Sequence, residues 1–184
     1  MPILINKDLR LLLVFQIYEN LYFESMFSPE DNKEKLFLNL NRNEKDLWTT
    51  ILDQKNIKKN KTISIEDENS VIDFGLFKKY IEKLDPSREN IIEKIQKHTK
   101  SWGKTSILTK SILIAYLLEL EILKNEIGLE NILPAYFKTI ITSYLRICDD
   151  FDSKETVSAV HALLVKLEKD IKEMVIKEMD AIEK

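Results

Sequence analysis

With 184 residues, 44% of them hydrophobic and 32% charged, the chain has the balance of one globular domain large enough to bury a substantial core. Three glycines and four prolines supply too few turns for a sheet of many short strands. A net charge of −3 means that any nucleic-acid contact must come from a local basic patch.

One cysteine, Cys148, excludes an intramolecular disulfide and suits a reducing compartment. The first apolar stretch, Leu9 to Tyr18, is too short to span a bilayer. Lys7 and Arg10 could head a secretory signal, but no small-residue cleavage site follows. The expectation is a cytoplasmic protein.

In chain order, the pattern predicts a first helix over Lys7–Met26, in which Leu9, Leu13, Ile17 and Leu21 recur every four residues. Its end, Glu19-Asn-Leu-Tyr-Phe-Glu-Ser25, nearly matches a tag-cleavage motif, but Glu24 stands where that motif needs glutamine. The segment therefore reads as native. Ser28-Pro29-Glu30 caps a second helix from Asp31, with Leu36, Leu40, Leu47, Ile51 and Leu52 as its apolar positions. Residues 55–70 are polar and charged and read as an exposed loop. A third helix covers Val71–Leu84 and stops at Asp85-Pro86. A fourth starts at Pro86, carries Ile91, Ile92 and Ile95, and closes at Gly103.

The segment Ile107–Lys124 is nearly all apolar and is expected to be the central buried helix. Gly128 punctuates it, and Leu129–Cys148 forms the next helix, with Pro134 marking a kink or a start near Leu133. Asp152-Ser153-Lys154-Glu155 caps a last helix whose apolar positions run from Val157 to Ile182. The reading is a single all-α domain, residues 1–184, of about seven helices, with 168–184 as a C-terminal helix extension.

Several stretches resemble the NusB family (N-utilization substance B), small helical RNA-binding proteins of transcription antitermination. Arg10-Leu-Leu-Leu-Val-Phe-Gln-Ile-Tyr18 keeps the family spacing from arginine to tyrosine, although Gln16 falls one residue late and Asp8 interrupts the basic cluster around Lys7. His98-Thr99-Lys-Ser-Trp102 resembles the segment before the family's central helix. Ile112 to Leu123 resembles that helix itself, with either Glu119 or Glu121 in the place of its glutamate. Ile132-Leu-Pro-Ala-Tyr136 and Val160-His-Ala-Leu-Leu-Val-Lys166 stand where two later motifs lie, with the family's asparagine and glycine replaced by His161 and Ala162.

The resemblance covers most of the chain at low specificity. It implies a NusB-type bundle in two packed subbundles. It also implies a transcription antitermination factor that binds boxA-type rRNA leader RNA with NusE, a ribosomal protein, inside the RNA polymerase antitermination complex. Homodimerisation is a further possibility. An alternative is a NusB-like protein–protein interaction module that has lost tight RNA binding. The same helical domain also precedes the catalytic domain of rRNA 5-methylcytosine methyltransferases, but no methyltransferase region follows in these 184 residues.

The residues themselves support no catalysis: two histidines and one cysteine form no nucleophile motif or zinc-ligand set, and no phosphate loop is present. The expectation is a protein that is not an enzyme and needs no cofactor or metal. Phosphate attraction needs clustered cations, and base contacts need aromatic groups nearby. Two stretches qualify. Lys7, Arg10 and Tyr18 lie on the first helix. Lys94, Lys97, Lys100, Trp102 and Lys104 lie in a stretch from Ile91 to Lys110 that holds five lysines against one glutamate. Trp102 is placed to stack on a base or to join the core, and the lysines suit either a phosphate contact or a solvated face. The apolar stripe of the tail helix suits either the protein's own core or a partner helix.

Overall fold

The computed structural model describes residues 5–26, 73–99, 102–128, 131 and 134–182, with the side chains of Pro134 and of 174–182 outside the description. Five α-helices occur among the described residues: α1 (Lys7–Met26), α2 (Phe74–Gln96), α3 (Ile107–Ile127), α4 (Pro134–Phe151) and α5 (Lys154–Ile182). A 3-10 turn, Trp102–Lys104, links α2 to α3. The second predicted helix and the 55–70 loop fall outside the described residues. Where described, the chain is all-helical, and none of these helices is long and apolar enough to cross a membrane.

Each start has a local cause. Asn6 Oδ1 accepts from the Leu9 amide at 2.8 Å ahead of α1, and Asp73 Oδ1 accepts from the Leu76 amide at 2.9 Å ahead of α2. Ser106 Oγ accepts from the Thr109 amide at 3.1 Å, and Ser153 Oγ from the Thr156 amide at 3.3 Å, so the sequence-read cap of α5 forms. These side chains satisfy amides that have no partner within the helix. Pro134 opens α4, where its missing N–H costs nothing.

Against about seven helices expected for the whole chain, five fall among the described residues. The stretches expected as separate third and fourth helices form the single helix α2, with Pro86 inside it. One apolar stripe explains the continuity: Phe77, Tyr80, Leu84, Ile91 and Ile95 are buried at steps of three, four and seven. The vacant place in that stripe belongs to Arg88, which reaches Glu24 on α1 in a bidentate ion pair. Packing on both sides of Pro86 thus outweighs the lost backbone bond.

Helix α3 is the hub. It is buried continuously from Ser111 to Leu120 and packs against α1, α2, α4 and α5. Helix α1 is buried nearly all round from Leu9 to Val14. Helix α4 contributes Phe137, Ile140, Tyr144, Ile147 and Cys148, and α5 contributes Val160, Leu164 and Leu167.

Candidate nucleic-acid interface

The opening basic element divides on folding. Lys7 is exposed at the first position of α1. Arg10, three residues on, faces α3 and is only 4% exposed. Its Nη2 donates to Glu119 Oε1 at 2.6 Å and its Nε to Glu119 Oε2 at 2.9 Å. The Tyr144 hydroxyl donates to Glu119 Oε2 at 3.0 Å, and the Arg10 guanidinium lies 6.0 Å from the Tyr144 ring centre. Burial alone would lower the Arg10 guanidinium, but the Glu119 carboxylate overrides it and holds it above its ordinary value. Burial pushes the Glu119 carboxyl up, against the pull of Arg10 and Tyr144. Arg10, expected at a phosphate, is therefore occupied inside the core and turned away from solvent.

Tyr18 is half-buried and lies parallel to Tyr22, with ring centres 6.2 Å apart. Its other ring neighbour is Phe15, which packs edge-on against Phe151 of α4.

The second basic element surrounds the α2–α3 connection. Lys94 is engaged: its Nζ donates to Glu121 of α3 at 2.6 Å. The His98 ring pairs through Nε2 with Asp170 of α5. Lys97 and Lys104 are exposed, and Lys100 lies outside the described residues. Trp102 is half-buried and packs against the core, and the Lys110 Nζ sits 5.1 Å from its ring centre. A cation at that distance over an indole is attracted by its ring electrons. Lys110 occupies the kind of ring surface on which a base would stack.

Beside this corner, α2, α3 and α5 enclose a groove of about 210 Å³, with Leu117, Leu120, Leu167 and Ile171 below a rim that includes Lys94 and Lys97. Elsewhere, Cys148 is buried and its thiol is pushed up to about 11, chiefly by burial, while His161 is exposed on α5. No cluster of three metal-ligating side chains occurs among the described residues.

The structure brings Lys97, Trp102 and Lys104 to one connection and leaves Lys7 at the start of α1. It assigns Arg10 and Lys94 to ion pairs. Sequence reasoning missed Lys110, whose signal was its position eight residues after Trp102 at the start of a helix. It also missed the pairing of Arg10 with Glu119, signalled only by a charge inside an apolar run. Comparison with protein-family models, curated proteins and solved structures gave no match.

Proposed function

We propose that this chain is a NusB-like helical module, built as two packed subbundles, that binds boxA-type rRNA leader RNA together with NusE and acts in transcription antitermination. The observation that carries the reading is the meeting of Arg10 and Glu119. Two residues singled out by the resemblance, 109 positions apart, join in one buried pair. That contact gives both motifs a common structural reason and favours Glu119 over the half-buried Glu121 as the family-type glutamate.

RNA contact then falls to Lys7 and to the α2–α3 connection with Lys97 and Lys104, whose exposed ammonium groups can displace counterions from phosphates. The test is binding of boxA RNA and a scrambled control at two salt concentrations, with and without NusE. Salt-dependent binding to both RNAs, with a boxA preference that appears on adding NusE, is expected. The double variant Lys97→Ala/Lys104→Ala should flatten the salt slope by about 0.7 per lost contact. Equal, salt-insensitive binding to both RNAs would overturn the reading.

The withdrawal of Arg10 and Lys94 into ion pairs favours a second reading: an interaction module with weakened RNA binding. It predicts partner binding that is indifferent to Lys97→Ala/Lys104→Ala.

A further inference from the structure

We infer that the α2–α3 connection reads RNA phosphates rather than bases, and that Lys110, positioned by Trp102, is one of its contact residues. The inference rests on the RNA-binding reading above and adds the chemistry that the corner recognises. No acidic residue occurs in the chain between Glu93 and Glu119. Of the described basic side chains here, Lys94 pairs with Glu121 and the His98 ring bonds to Asp170. Among the described residues, no carboxylate pairs with the ammonium groups of Lys97, Lys104 or Lys110. They lie at the end of α2, in the 3-10 turn and in the first turn of α3, so the chain carries three positive charges round one short connection.

Trp102 decides what that charge can do. Its ring packs against the core and carries the Lys110 ammonium 5.1 Å from its centre. A nucleobase and an ammonium cannot share one ring face, so stacking on the face that carries Lys110 would first have to displace it and forfeit the cation–π attraction. The ammonium has three N–H donors, and the ring engages it through charge, leaving hydrogen-bonding capacity for a phosphate oxygen. The Lys110 amide bonds to the Ser106 carbonyl at 3.0 Å, which fixes the base of the side chain within the first turn of α3. The positive end of that helix adds to the same field. Trp102 thus acts as a positioning residue and Lys110 as a contact residue.

The experiment uses the whole chain without NusE, a boxA RNA and an abasic oligonucleotide of equal length. Both should bind within about twofold of each other, because a backbone-reading corner does not require bases. Lys110→Gln should weaken both by the same factor and reduce the salt slope by about 0.7. Trp102→Phe, which keeps a ring beneath the ammonium, should retain the slope, and Trp102→Leu should reproduce Lys110→Gln. Circular dichroism checks each fold, and Lys110→Gln, a substitution at a half-buried position, keeps the test valid if Trp102→Leu unfolds. An abasic loss of about fivefold or more, the size of one lost stack, would overturn the inference. So would an unchanged slope in Lys110→Gln, and both results leave the RNA reading standing. Failure of both oligonucleotides to bind at low salt would remove the RNA reading and the inference with it.

Discussion

Arg10 on the first helix and Glu119 on the central helix form a bidentate pair with relative exposures of 4% and 0%, closed by the Tyr144 hydroxyl from a third helix. Three helices are thereby tied at one buried point. Such a pair contributes little relative to well-packed apolar groups, but removing one partner leaves a buried charge unmatched. Arg10→Ala or Glu119→Ala should each lower unfolding free energy by about 3–5 kcal/mol. The combined Arg10→Met/Glu119→Leu/Tyr144→Phe variant should recover most of that loss. Urea denaturation of the four proteins measures it. A small effect for the single variants would mean that the pair does not form.

Alkaline pH should unfold the protein through its buried acids. Burial raises the phenols of Tyr80, Tyr116 and Tyr144 above their ordinary value of 10.0, and raises the Cys148 thiol from 9.0 to about 11. For each, the folded-state pKa exceeds the unfolded one, so the unfolded chain releases its proton first as pH rises. Above about pH 9 the unfolded state then binds fewer protons than the native state, and stability falls with pH. The urea midpoint should drop progressively from pH 9 to pH 11. Absorbance at 295 nm should show these three phenols ionising only together with the loss of helical circular dichroism. Ionisation ahead of unfolding would contradict their burial.

Much of this architecture is readable from periodicity and caps. The bounds of α1, the buried Ile107 helix and the Ser153 start of α5 follow from spacing and side-chain oxygens. Three features escape such reading, for definable reasons. A proline is a local signal, and at Pro86 it is overruled by a stripe that resumes beyond it at Ile91. Arginine is read as a solvent or phosphate residue unless its partner is known, and Glu119 lies on another helix. Lys110 escapes it because its role depends on where the Trp102 ring turns, which no spacing rule contains.

Pro86 offers a direct check on the continuity of α2. An interior proline lacks the amide that would bond to the carbonyl of Glu82, and its ring crowds that turn. Pro86→Ala should restore the bond while adding some unfolded-state freedom, a smaller opposing effect. The net expectation is a stabilisation of about 1–3 kcal/mol, read as a higher urea midpoint with an unchanged slope. A neutral or destabilising result would mean that the backbone turns at Asp85 rather than running through it.

The two glycines flanking α3 should respond oppositely to alanine. Gly128 ends the helix at φ 75° and ψ 146°, with its amide bonded to the Lys124 carbonyl at 2.9 Å. That backbone conformation is nearly exclusive to glycine, so Gly128→Ala should cost about 1–3 kcal/mol through strain alone. Gly103, in the 3-10 turn, has no positive φ, and an added Cβ there would meet nothing within 4 Å. Gly103→Ala should therefore be neutral or stabilise by up to about 1 kcal/mol, because only the unfolded chain loses freedom. Thermal melts of the two variants separate the effects, and equal shifts would mean that Gly128 does not hold its left-handed geometry.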